Sequence, residues 1–140
     1  MSNQIIVQKF GGTSVASDEN RRLAAGKIIA AKTAGKKPVV VVSAIGRRGA
    51  SYATDTLVDE IRKIDPVFPP HPHEMDLIMA CGELISAAIM AATLQSMGHR
   101  AVALSGGQAG ILTDSEYGNA RIIAIHPFVI HDLLEQGIIP

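Results

Sequence analysis

Apolar residues in this chain fall in short unbroken blocks and helical stripes, separated by breaks rich in glycine, serine and proline. Ile5-Ile6-Val7 is a β-branched run closing on Lys9-Phe10-Gly11-Gly12, which predicts a buried strand stopping at a glycine loop. A helix follows. Ser17 is placed to cap it, Asp18 and Glu19 suit the positive end of its dipole, Ala24, Ile28 and Ala31 make an apolar stripe, and Gly35 ends it. Pro38 opens Val39-Val40-Val41-Val42, apolar at every position, as in a parallel strand covered on both faces. The result is a βαβ unit and an α/β fold class. Beyond Ser43-Ala44, a loop through Ala53 leads to Thr54-Asp55, expected to cap a helix running to about Ile64. Pro66, Pro69, Pro70 and Pro72 then preclude regular structure, and Glu74 to Met97 is a long helix stopped by Gly98.

The remaining blocks repeat this grammar. Ala101-Val102-Ala103-Leu104 reads as a third strand ending in the loop Ser105 to Gly110. Ile111-Leu112-Thr113 and Arg121-Ile122-Ile123-Ala124 flank Tyr117-Gly118-Asn119, a hairpin on the rim of the sheet. Pro127 and Gly137 bracket a last helix, and Ile138-Ile139 has the character of a further core strand just opening. The architecture is expected to break off there. Apolar sheet surface left uncovered at that point would make the isolated chain associate or aggregate.

Composition removes several classes of function. With 140 residues, 47% of them hydrophobic, the chain can build one core. Its 13 basic and 13 acidic residues cancel, so no long-range field draws it to nucleic acid or to an anionic membrane. The apolar stretch from Met75 to Met97 contains Glu83 and Gln95 and is expected to be a helix of a soluble core. Met1-Ser2-Asn3-Gln4 runs into the first strand without a basic, leader-like stretch, which places the protein in the cytoplasm by expectation. The single cysteine, Cys81, excludes an internal disulfide and a cysteine zinc cage, and its setting predicts a small buried hydrophobe.

In an open parallel sheet, ligands bind beyond the carboxyl ends of the strands. Here those ends carry Gly11-Gly12, Ser43-Ala44-Ile45-Gly46 and Ser105-Gly106-Gly107, three loops that can converge on one crevice suited to a phosphorylated ligand; each can equally be a tight turn. Lys9, followed by two glycines, can neutralise a transferring phosphoryl group or stand as a solvated strand-end lysine. Neither the phosphate-loop motif G-x-x-x-x-G-K-[ST] nor the dinucleotide fingerprint G-x-G-x-x-G occurs. Glu83, on an otherwise apolar helix, is expected to be buried and to need a cationic partner, and Gly82 beside it marks a close approach. A substrate ammonium, or an internal ion pair with helix–strand packing, would satisfy both. His71, His73, Glu74 and Asp76 lack regular ligand spacing and read as an exposed loop; His126 and His131 do not share a helix face; Arg47-Arg48 reads as solvated loop.

Lys9-Phe10-Gly11-Gly12-Thr13-Ser14-Val15 resembles the N-terminal signature of the aspartate kinases of the amino-acid-kinase superfamily. The resemblance continues through Val41-Val42-Ser43-Ala44, Thr54-Asp55-Thr56-Leu57, Glu74-Met75-Asp76, Gly82-Glu83-Leu84-Ile85-Ser86, Gln108 to Thr113 and Gly118 to Ile122, in order over essentially the whole chain. It implies the carbamate-kinase-like, three-layer fold with a mainly parallel central sheet, in truncated form. Residues 1–140 would be the N-terminal portion of the catalytic domain, without the nucleotide-binding remainder and the ACT regulatory domains, so activity in this chain alone is not expected. The implied reaction moves the ATP γ-phosphoryl to the β-carboxylate of L-aspartate, the first step toward lysine, threonine and methionine, with Mg2+ held by the nucleotide and no dedicated protein metal ligands.

By motif position Lys9 resembles the catalytic lysine, and Lys9, Phe10, Gly11, Gly12 and Ser43 resemble the phosphate side. Ser43, Thr54 and Glu83 resemble the aspartate site. A homo-oligomeric parent is implied as well. Two alternatives stand beside this: another kinase of the superfamily acting on a carbamate or an acylated amino acid, which the Lys9-to-Val15 string opposes, and a non-catalytic binding or assembly module that keeps the fold. The stretch Arg47 to Ala53 is longer than the matching loop in many members of the family.

Overall fold

A computed structural model describes residues 4–140. The reading of Met1-Ser2-Asn3 as a start without a leader lies outside the described residues. Strand β1 (Ile5–Phe10) pairs in parallel with β2 (Lys37–Val42), with Lys9 opposite Val41 and Phe10 opposite Val42. Helix α1 (Asp18–Thr33) makes the crossover after a 3-10 turn at Gly12–Val15. The Ser17 hydroxyl accepts the Asn20 N–H at 3.1 Å, the cap that its sequence position predicts. Ala24, Ala25 and Ile28 of α1 are buried, and Phe10, Val40 and Val42 pack against their cluster.

That packing covers one face of the strand pair. On the other, Val7 is 64% and Val41 46% exposed, so the all-valine run is not covered on both faces as its composition suggested. An unbroken apolar run records what a strand can tolerate; its cover comes from elements distant in sequence.

The expected third strand at residues 101–104 is reduced to one parallel bridge, between Ala101 and Ile139. The reason lies in the partner. Residues 138–140 insert between Ala101 and β2: the Ile139 N–H donates to the Arg100 carbonyl at 3.0 Å, Val102 N–H to Ile139 at 3.0 Å, and Val40 N–H to Pro140 at 2.9 Å. Ile138 and Ile139 are buried there, as a core strand would be.

Helix α2 (Thr54–Arg62) starts from Ala53 with no side-chain cap, so Thr54 is its first residue and not its cap. Helix α3 (Pro72–Ser96) begins earlier than Glu74: Pro72 occupies the first turn, where a missing N–H costs nothing, instead of preventing the helix. By length and composition α3 could cross a membrane, yet Met90, Ala91 and Leu94 lie in the core with α1. Cys81 is half-buried, less enclosed than its apolar neighbours predicted. The hairpin forms from β3 (Ile111–Thr113) and β4 (Ile122–Ile125), antiparallel, but as a two-stranded sheet of its own and not on the rim of the parallel one. Helix α4 (Phe128–Glu135) follows, leaving His126 in the preceding loop and not on a helix with His131. Ion pairing of Lys37 with Glu135 at 2.6 Å, and a bond from Lys32 Nζ to the Gly137 carbonyl at 2.6 Å, tie the end of α4 to the βαβ unit.

Candidate active site

Parallel pairing of β1 and β2 brings their two following loops side by side. Ser43 extends the ladder by one bond, its N–H donating to the Phe10 carbonyl at 3.1 Å, and the Gly46 N–H donates to Gly12 at 3.1 Å. Gly12 has to be glycine: a Cβ there would lie 2.4 Å from the Ala44 carbonyl oxygen and 2.9 Å from that of Gly46. Gly11 differs, because a Cβ on it would meet nothing within 4 Å. One glycine of the pair locks two loops together, and the other borders open space. Among the described residues neither glycine N–H donates to another backbone group.

Lys9 stands on the open face of β1, exposed with Ile5 and Val7, and makes no ion pair or side-chain hydrogen bond among the described residues. Phe10, expected on the phosphate side, turns its ring to the core, so its part there is limited to the carbonyl that receives Ser43.

Thr54 and Glu83 sit elsewhere. They line a cavity of about 620 Å³ running between β2, α3 and residues 101–106, to which Lys9, Gly11, Gly12 and Ser43 do not contribute. Glu83, midway along α3, is exposed and not buried, contrary to expectation, and a solvated carboxylate needs no internal cation. Its Oε1 accepts the Ala44 N–H at 3.4 Å. The close approach predicted at Gly82 is present: a Cβ there would lie 2.9 Å from Ala44 Cβ and 3.0 Å from the Tyr52 carbonyl.

Ala44 is therefore the residue that joins the two groups, and sequence reasoning passed over it. Its carbonyl packs on Gly12, its methyl on Gly82, and its N–H meets Glu83. A larger side chain would not fit between two glycine-lined surfaces, and a small residue following Ser43 was the available signal. The third loop borders the cavity lined by Thr54 and Glu83, to which Gly11 and Gly12 do not contribute. Ser105 and Gln108 bond reciprocally, Ser105 N–H to Gln108 Oε1 at 2.9 Å and Gln108 N–H to Ser105 Oγ at 3.2 Å, closing the loop on itself while Ser105 and Gly106 reach the cavity wall.

The histidine and carboxylate residues at the start of α3 are helix and cap, not an irregular loop. His71 caps α3, its ring accepting the His73 N–H at 3.2 Å, and the Glu74 carboxyl is held below the usual glutamate range chiefly by its hydrogen bond with His73. No group of three His, Cys, Asp or Glu residues among those described is arranged to hold a metal.

A family model described as the amino acid kinase family matches residues 4–140, and the chain belongs to that family. Within it, the similar proteins are aspartokinases. Aspartokinase 1 of Bacillus subtilis (strain 168) is 48% identical over 124 residues, 89% of this chain and 30% of that protein. The aspartokinase of Mycolicibacterium smegmatis is 42% identical over 133 residues, 95% of this chain and 30% of that protein. The crystal structure of aspartate kinase from Synechocystis matches with a TM-score of 0.76 at 34% identity, over 96% of this chain and 21% of that one. E. coli aspartokinase III in complex with aspartate and ADP matches with a TM-score of 0.74 over 98% of this chain and 40% of that one; at 19% identity this speaks for the fold alone. The chain spans 30% of the length of the two curated relatives.

Proposed function

We propose that the protein to which this chain belongs is an aspartate kinase, transferring the γ-phosphoryl of ATP to the β-carboxylate of L-aspartate to give 4-phospho-L-aspartate and ADP. The observation that carries the reading is Ala44, whose backbone joins the glycine loop after β1 to Glu83 on α3. Phosphate side and acceptor side are thereby set on one rigid peptide, which is what an in-line transfer between two bound molecules requires.

The chemistry asks little of the protein beyond placement and charge. An aspartate β-carboxylate is already ionised near neutral pH, so its oxygen attacks the γ-phosphorus without a general base, and the bond to the β-phosphate oxygen breaks with its electron pair leaving on ADP. Lys9, without an ion-pair partner among the described residues, stands near the carboxyl end of β1 and neutralises charge on the transferring group. Gly11 admits the phosphates at a backbone without side-chain obstruction. Glu83 accepts the substrate ammonium, Thr54 orients a carboxylate by hydrogen bonding, and Ser43 lies between the two sides. Mg2+, carried by the nucleotide, would screen the phosphate charge.

On this reading residues 1–140 are the front of the catalytic domain of a cytoplasmic, homo-oligomeric enzyme, with the rest of the nucleotide site and the ACT domains supplied elsewhere in the protein. Neither nucleic acid nor membrane is a partner. The test is aspartate-dependent ADP release by the full gene product. Lys9→Ala is expected to lower kcat by about 100-fold, and Glu83→Gln to raise the aspartate KM. Near-wild-type turnover in the first, or an unchanged KM in the second, removes the assigned role.

A further inference from the structure

Sequence alone left Arg47-Arg48 as solvated loop, and the fold separates them. Arg48 Nη1 donates to Asp59 Oδ2 on α2 at 2.5 Å, while Arg47 makes no ion pair among the described residues. One position on, the Gly49 N–H donates to Thr56 Oγ1, also on α2, at 3.0 Å. Between these anchors the loop folds through two tight turns, Ala50 N–H to the Arg47 carbonyl at 2.9 Å and Ala53 N–H to Ala50 at 3.1 Å. Gly46 and Gly49 supply the left-handed backbone these turns need, at φ 83° and 94°.

The far side of the same loop rests on α3, where the Tyr52 carbonyl fills the space a side chain at Gly82 would take. Its last residue, buried Ala53, is where α2 begins: Thr56 and Leu57 both donate their N–H groups to the Ala53 carbonyl, at 2.9 and 3.1 Å. Ala53 offers no side-chain cap, and Thr54 makes no side-chain hydrogen bond of its own among the described residues. Thr54 opens α2, which packs on α3, and its hydroxyl has no partner among the described residues. The loop that leads into it is held to α2 by Asp59 and Thr56, which ties the start of the helix to the loop resting on α3.

We infer that Arg48, Thr56 and Asp59 are positioning residues: together they clasp the 46–53 loop between α2 and α3 and so set Thr54 against Glu83 for the amino-acid substrate. This rests on the reading under Proposed function. An exposed ion pair contributes little to stability, so the clasp acts through geometry at the acceptor side; Gly46, at the head of the loop, is fixed separately by its bond to Gly12, which keeps the nucleotide side, built on Lys9 and Gly11, in place.

The test is steady-state ADP release by the full gene product, with aspartate and ATP varied separately and melting temperature recorded. Thr56→Val and Asp59→Asn are expected to raise the aspartate KM about tenfold, with the ATP KM changed by less than about twofold. Thr56→Ser, which keeps the accepting oxygen, should restore the wild-type aspartate KM. If Thr56→Val does not fold, Arg48→Ala at its exposed position carries the same expectation. An unmodified enzyme without aspartate-dependent ADP release overturns the functional reading itself. An active enzyme whose aspartate KM is unmoved in these variants, or whose aspartate and ATP constants shift together, overturns the clasp alone.

Discussion

Two parts of this molecule are joined to α3 in opposite ways. At the carboxyl ends of β1 and β2, contact is tight and steric: Gly12 locks against the carbonyls of Ala44 and Gly46, and α3 joins at Gly82 through the Ala44 methyl and the Tyr52 carbonyl. Near the start of the helix, the tip of the β3–β4 hairpin docks through side chains. Asp76 Oδ2 accepts the Gly118 N–H at 2.8 Å, and the Tyr117 ring packs edge-on to His73 with centroids 4.9 Å apart. The first junction has no spare volume and admits few substitutions. The second depends on exposed, exchangeable groups and can open without disturbing the core.

The sharpest way to break that comparison is at the glycine pair. Gly12→Ala forces a methyl into the Ala44 carbonyl and is expected to destabilise the fold by about 1–3 kcal/mol, while Gly11→Ala leaves stability nearly unchanged. Denaturant unfolding of the two variants decides it, and equal stabilities would refute the steric account. At the hairpin, Asp76→Ala should lower global stability by only about 1 kcal/mol or less, yet speed amide exchange at Gly118. A global loss as large as that of Gly12→Ala would mean that the two junctions do not differ in kind.

The smallest expected effect is electrostatic. Lys37 holds the Glu135 carboxyl below the usual glutamate range, mainly through their hydrogen bond. A depressed folded pKa contributes stability that is fully present above the unfolded value and is lost as pH falls through the folded one. The melting-temperature advantage of wild type over Glu135→Gln should therefore be present at neutral pH and fade below about pH 4.3. An advantage that grows toward acid would reverse the assignment.

Much of the candidate site was legible before folding, because glycines and a strand-end lysine can be read by type. The strings at Lys9 to Val15 and Gly82 to Ser86 marked both halves, and the close approach at Gly82 followed from the poor fit of glycine to a helix interior. The exposure of Glu83 was not legible. Burial depends on which elements pack over a residue, and an apolar stripe on its own helix says nothing of that. Nor could the sequence separate Gly11 from Gly12 or Arg47 from Arg48, since neighbours of the same type differ only in what the fold brings against them.

By itself, then, the sequence determined most of the elements and the family: the runs of β1 and β2, the Ser17 cap and the glycine loops are encoded by residues within a few positions of one another. Only the tertiary structure decided that residues 138–140 enter between β2 and Ala101, that Ala44 joins the two sides of the site, and that Asp59 and Thr56 hold the loop ahead of Thr54. The first two link segments far apart in the chain, and the third closes a loop of about ten residues onto the helix after it. They exist because the packed backbone leaves one way to satisfy its hydrogen bonds and fill its space, a condition that no local pattern of residues contains.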